Sequence, residues 1–231
     1  CNARSRPRSA AVTTPQGELL HWYRRHRRDL PWRGTRDPYR ILVSEVMLQQ
    51  TQVDRVVPFY HAWLDAFPDA AACAAASSDQ LHRRWKGLGY PSRAERLQAA
   101  CRQVLEAHAG VWPRTPEALQ RLPGIGPYTA GAVACFAFGA AVPLVDTNVA
   151  RVYARRDGLP VPPPRKELWA HAAHQVDPDH PVAYNNALME LGALVCTARA
   201  PDCAACPWRR RCRAVTDAER HRATANPLRC A

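Results

Sequence analysis

Four cysteines near the end of the chain, Cys196, Cys203, Cys206 and Cys212, set the tightest limit on how it can fold. Six, two and five residues separate them, so four thiols within a 17-residue stretch can close on one metal centre. Zinc held by four thiolates fits this pattern, and so does a [4Fe–4S] cluster. The usual all-cysteine zinc site pairs two Cys-X-X-Cys knuckles, and only one, Cys203–Cys206, is present. Spacing does not separate the two, and four unrelated buried cysteines remain the third alternative. The scattered Cys73, Cys101 and Cys135 read as small core residues. An odd total of nine, with four clustered, argues against a disulfide framework and for a reducing setting, here the cytoplasm and its nucleoid.

Upstream of the cysteines the pattern is helical almost throughout, and the expected class is all-α. Period-2 alternation and Asn-Gly or Asp-Gly hairpin signals are largely absent. Thr14-Pro15 and Asp37-Pro38 each pair a capping side chain with a first-turn proline. Apolar residues then recur at helical spacing, as in Leu19, Leu20, Trp22, Tyr23 and in Ile41, Leu42, Val46, Leu48. Pro58 and Phe67-Pro68 punctuate the next segments. Further helices are expected over 78–85, 92–108, 115–121 and 166–195, with turns at Gly87–Pro91 and Gly124–Gly126 and a stiff connector at Leu159–Pro164. The polar tail after about Thr216 is expected to be loose. No apolar segment opens the chain, and the longest uncharged run, Leu122–Val145, is broken by Gly124, Gly126, Gly131, Gly139 and Pro143. A turn, a buried helix and its exit fit that run better than a membrane span.

Charge points to a polyanion. The net charge is +12 and the pI about 9.7. Part of the excess lies in the Arg-rich first 14 residues, but Arg24, Arg25, Arg27, Arg28, Arg33 and Arg36 lie further in. The only lysines are Lys86 and Lys166. A solvated basic surface is the plainer alternative.

Two further features suggest where chemistry occurs. Leu122-Pro-Gly-Ile-Gly-Pro-Tyr-Thr129 places a Gly-X-Gly turn before an apolar helix, whose free N–H groups and positive dipole end suit a phosphate. Asp146 follows an uncharged segment and precedes Thr147-Asn148, so it can be a helix cap, a reacting carboxylate, or both. Glu45 has Ile41, Leu42 and Leu48 as its i−4, i−3 and i+3 neighbours. Held among them, its carboxyl is expected to have a raised pKa and to act as a general acid. The alternative is a solvated Glu on the open side of an amphipathic helix.

Leu30-Pro-Trp-Arg33, Ser44–Thr51, Gly87-Leu-Gly-Tyr90, the Leu122–Thr129 hairpin, Val145–Asn148, Glu190–Ala193 and the cysteine quartet occur in that order. Together they resemble the helix-hairpin-helix DNA glycosylases, and within them the adenine-excising branch, over residues 15–215. The resemblance implies a six-helix barrel over 35–144, with the hairpin at 120–136. It implies an iron–sulfur lobe from 15–34 and 145–216, basic and C-terminal tails at 1–14 and 217–231, and a DNA groove between the lobes. The cofactor would be a [4Fe–4S] cluster on Cys196, Cys203, Cys206 and Cys212, with a monovalent cation at the hairpin. The partner would be double-stranded DNA carrying a mismatched or damaged pair, met by a monomer with no membrane involved. The target base would be flipped out of the stack.

The resemblance also assigns roles. Glu45 would protonate adenine, Asp146 would stabilise the positive sugar, and Tyr128 and Asn148 would line the sugar pocket. Gln50 and Thr51 would wedge beside the opposite strand, and Leu88 and Tyr90 would intercalate. Arg33 would line the base pocket, and the Gly124 and Gly126 backbone would hold phosphates. Each has a plainer alternative in packing, capping or a surface salt bridge. Tyr128 stands where the lyase branch of the fold has its Schiff-base lysine, so little strand nicking is expected. Pro91 replaces a second tyrosine and Thr147 a glycine. Only 19 residues follow Cys212, whereas bacterial members continue into a Nudix-like domain that reads 8-oxoguanine. Recognition of that base is therefore expected to be weak, indirect or lost. A thymine or uracil mismatch glycosylase is the alternative within the fold, and a non-catalytic iron–sulfur DNA-binding protein the alternative outside it.

Overall fold

A computed structural model describes residues 14–224, with side chains to 218. Every regular element among them is helical, as the all-α expectation requires. They form two compact units, one of Arg28–Ala140 and one from the chain up to Arg27 together with the chain from Ala141 onward. The expected basic tail lies outside the described residues except for Thr14. No described helix is long and apolar enough to cross a membrane.

Helix α1 (Pro15–His26) belongs to the second unit. It begins as its sequence dictates, the Thr14 hydroxyl accepting from the Gly17 N–H at 3.0 Å. The Arg28–Ala140 unit contains α2 (Pro38–Leu48), α3 (Val53–Ala66), α4 (Ala70–Ala75), α5 (Ser78–Trp85), α6 (Ser92–His108), α7 (Pro116–Leu119) and α8 (Pro127–Phe138). Helices α2 and α8 pack together and are the most enclosed, being buried without a break over 41–47 and 129–135. A helix buried all round has no polar stripe, which is why α8 carries no charged residue. Beside them, the Trp63 ring meets Phe67 and Trp85 edge-on at 4.8 and 5.3 Å, and its Nε1–H donates to the Tyr39 hydroxyl at 3.0 Å.

The structure departs from the sequence reading in several places. Pro58 does not punctuate but lies inside α3, on an exposed position where the lost N–H leaves only the exposed Asp54 carbonyl to solvent. Helix α4 went unseen because Ala-Ala-Ala-Cys-Ala-Ala has no contrast between faces. The 115–121 helix is cut to α7, and Leu30 and Trp32, from the segment expected in the cluster lobe, are core residues of the Arg28–Ala140 unit.

The second unit adds α9 (Thr147–Asp157), α10 (Arg165–Gln175), α11 (Pro181–Leu194) and α12 (Arg213–Thr224). Its core joins Leu19, Leu20, Trp22 and Tyr23 of α1 to Val149, Val152, Tyr153, Tyr184, Leu188, Leu191 and Trp208. The helices expected over 166–195 are α10 and α11, divided where the Asp177 side chain accepts from the N–H groups of Asp179 and His180 and Pro181 restarts the chain. The tail expected to be loose after Thr216 is helical to Thr224, with α12 packed on α9. Residues 225–231 lie outside the described chain.

Candidate active site and metal centre

In the Arg28–Ala140 unit the hairpin between α7 and α8 is set by two anchors and a glycine. Leu122 and Ile125 are buried, which turns the backbone of the intervening turn outward. Gly124 has φ +73°, and a Cβ there would sit 2.6 Å from Arg96 Cβ. Gly126 caps α8 without a side chain, so the first-turn N–H groups receive no side-chain acceptor from the cap. The positive dipole end of α8 at this turn suits an anion. Tyr128 is half-buried in that first turn.

Glu45 lies in the enclosed middle of α2 and is 8% exposed. The solvated-face alternative is therefore excluded. Two loops of the same unit carry the other expected contacts. Gln50 and Thr51 follow the end of α2, Gln50 exposed with φ +57°. Tyr90 follows α5, 66% exposed with φ +49°, whereas Leu88 beside it is buried in the core. Arg33 is half-buried and its guanidinium donates to the Arg28 carbonyl at 3.0 Å.

In the second unit Asp146 is both a cap and the start of a chain of contacts. One carboxylate oxygen accepts from the Val149 N–H at 2.7 Å, and the other from the Asn148 amide at 3.1 Å. The Asn148 oxygen accepts from Arg151 at 2.8 Å, and Arg151 also donates to the carbonyls of Gly192 and Cys196, each at 2.8 Å. The acid is thus joined, through Asn148 and Arg151, to the backbone of a cysteine in the quartet. Gly192 makes the close approach possible, since a Cβ there would sit 2.8 Å from Asn148 Cβ. Asn185 holds the approach to Asp146, accepting from Leu144 N–H and donating to the Val142 carbonyl at 3.1 and 3.0 Å. Neither Arg151 nor Asn185 was singled out from sequence. Their only signal was helical offset, Arg151 being i+3 from Asn148.

The four cysteines follow α11 in a loop that α1 and α9 hold. Trp208 donates to the Pro15 carbonyl at 2.7 Å, and the Arg156 guanidinium stacks 4.3 Å from the Trp208 ring centre. All four are free thiols and half-buried. Burial pushes the Cys206 thiol up to about 11, with Cys196, Cys212 and Cys203 close enough to add to the effect. Arg155 reaches the Cys196 sulfur at 3.5 Å and the Thr197 carbonyl at 2.7 Å. Yet among the described residues no three Cys, His, Asp or Glu side chains are arranged to hold a single metal ion. Tetrahedral zinc would draw the sulfurs to about 3.8 Å of one another. A four-iron cluster takes one thiolate at each corner and needs them wider. The half-buried set of four neighbouring thiols, with a guanidinium beside one, supplies the number of donors that either centre needs.

A family model described as the HhH-GPD superfamily of base excision DNA repair proteins matches residues 43–176. The human adenine DNA glycosylase is 46% identical over 218 residues, which cover 89% of this chain and 40% of that protein. The adenine DNA glycosylase of Mycolicibacterium smegmatis is 48% identical over 193 residues, covering 82% of this chain and 66% of that protein. The chain thus spans less than two thirds of either relative. Among solved structures, a thermostable thymine-DNA glycosylase superposes with a TM-score of 0.81 at 32% identity, over 87% of this chain and 95% of that one. A trapped endonuclease III–DNA covalent intermediate shares the fold, with a TM-score of 0.76 at 22% identity over 88% of this chain and 95% of that one.

Proposed function

The chain belongs to the HhH-GPD superfamily of base excision DNA repair proteins, and on that premise we propose that it is a monofunctional glycosylase hydrolysing the N-glycosidic bond of adenine mispaired with 8-oxoguanine or guanine. The observation that carries the choice of base is Glu45, a carboxyl buried in the middle of α2. Adenine is a poor anionic leaving group and needs a proton, whereas a pyrimidine can leave as an anion with less help.

Glu45 gives its proton to adenine N7 as the C1′–N9 bond breaks and the bonding pair leaves with the base. Asp146, held by Val149 N–H and Asn148, sets its carboxylate against the positive charge that develops on the sugar. Water then adds to C1′ and returns a proton to Glu45. Tyr128 offers no amine, so no Schiff base forms and the strand is not nicked. The N-terminus of α8 and the Gly124 and Gly126 amides take backbone phosphates, and Gln50, Thr51 and Tyr90 meet the duplex around the pair. Cys196, Cys203, Cys206 and Cys212 would hold a [4Fe–4S] cluster, which supplies closure of the loop that carries them.

Single-turnover assays on duplexes with 8-oxoguanine:A, G:A, G:T and G:U pairs test this directly. Adenine release from the first two is expected. Release of thymine with adenine left intact would establish instead the pyrimidine activity named for the 32%-identical thymine-DNA glycosylase. Purified protein should carry on the order of four irons per chain. Zinc alone would remove the cluster from the account.

A further inference from the structure

Arg93, in the first turn of α6, is 7% exposed, although a guanidinium normally seeks water. Its two terminal nitrogens face different parts of the chain. Nη1 donates to the carbonyls of Val46, Met47 and Gln49, at 2.9, 3.4 and 2.7 Å. Nη2 donates to those of Leu88 and Gly89, at 2.7 and 3.0 Å. The first set is the C-terminal end of α2, where carbonyls have no helical partner and the dipole is negative. The second is the loop after α5. Trp85 completes the joint, donating from Nε1 to the Gly89 carbonyl at 3.0 Å while its ring lies 5.4 Å from the guanidinium.

The residues next to these carbonyls are strained. Gln50 follows Gln49 with φ +57°, and Tyr90 follows Gly89 with φ +49°. Non-glycine residues rarely adopt this conformation unless their surroundings impose it. One buried cation therefore holds the carbonyl immediately before each of two left-handed, exposed residues. Those residues head the two loops assigned above to the duplex around the target pair.

We propose that Arg93 is a positioning residue that locks the Gln49–Thr51 and Leu88–Tyr90 loops into one rigid probe of the base pair. It touches no DNA itself. A planar fork can serve two carbonyl sets at once, whereas a lysine ammonium is a point and can serve one. The proposal rests on the DNA glycosylase reading of the chain.

The test is Arg93→Lys, compared with the full-length wild type on duplexes with a matched pair or an A:G mismatch, with 2-aminopurine beside the pair. If the loops act together, the variant keeps its affinity for matched DNA but loses roughly tenfold or more of its preference for the mismatch. It also loses the fluorescence rise that reports unstacking. A variant that discriminates and unstacks like wild type overturns the proposal. So does one that loses affinity equally for both duplexes, since that marks general damage. A wild type with no mismatch preference would instead sink the functional reading, and this proposal with it. Hydrogen exchange on the wild type decides the matter even if Arg93→Lys does not fold. Amides of residues 49–51 and 87–90 should gain protection together when mismatched DNA binds, and independent changes in the two loops would overturn the coupling.

Discussion

Glu45 sits in the middle of a buried helix, and Asp146 at the N-terminal cap of a half-exposed one. The surroundings of the two carboxyls differ. Glu45 is enclosed by packing, since α2 is buried over 41–47 and the residues three and four places earlier, Leu42 and Ile41, are buried with it. Asp146 is held by named polar contacts, namely the Val149 amide, the Asn148 side chain and, beyond it, Arg151. An acid enclosed in a core is disturbed by a change of core volume nearby. An acid at an exposed helix cap is disturbed by breaking the chain of contacts that holds it.

Five substitutions probe the contrast. The largest effect is expected at the acids themselves. Glu45→Gln and Asp146→Asn should each slow base release by roughly 10²–10⁴-fold in single-turnover assays, with mismatch binding retained. Asparagine can still cap α9, so Asp146→Asn should leave the melting temperature nearly unchanged. Substantial activity in Glu45→Gln would remove the acid role. Next, Leu42→Ala opens a cavity beside Glu45 and should cost about 2–5 kcal/mol in urea unfolding, with a fall in excision rate. A loss of stability with no change in rate would mean that packing does not place Glu45. Arg151→Gln removes a charged donor to three oxygens and should cost about 1.5–3 kcal/mol, with slower excision and unchanged matched-duplex affinity. Gly192→Ala sets a methyl against Asn148 and should cost about 1–3 kcal/mol, the smallest of these three losses. If it left excision intact, the spacing of α9 and α11 would not govern Asp146.

Much of this was legible one residue at a time. Thr14-Pro15 and Asp37-Pro38 are local signals, complete within one turn, and both caps form as read. Asp146 was read as a cap for the same reason. The misses share a physical cause as well. Pro58 was read as a stop because sequence does not show that its turn of α3 faces solvent, where the orphaned carbonyl is harmless. Helix α4 has no contrast between faces, and it forms against α6, whose Gln98 amide donates to the carbonyls of Cys73, Ala74 and Ala76. Leu88 and Tyr90 look equivalent in Gly-Leu-Gly-Tyr, yet one is buried and the other exposed.

By itself the sequence determined the class of fold, the caps, the hairpin turn and the four thiols available to a metal, because each depends on residue type and short spacing. Tertiary structure alone decided that Glu45 is buried rather than solvated, that Arg93 serves two loops, and that Arg151 joins Asp146 to the Cys196 backbone. Those outcomes depend on which carbonyls and apolar faces meet across 40 or more residues of chain, in contacts such as Arg93 to Gln49 and Arg151 to Cys196. No local periodicity encodes that meeting.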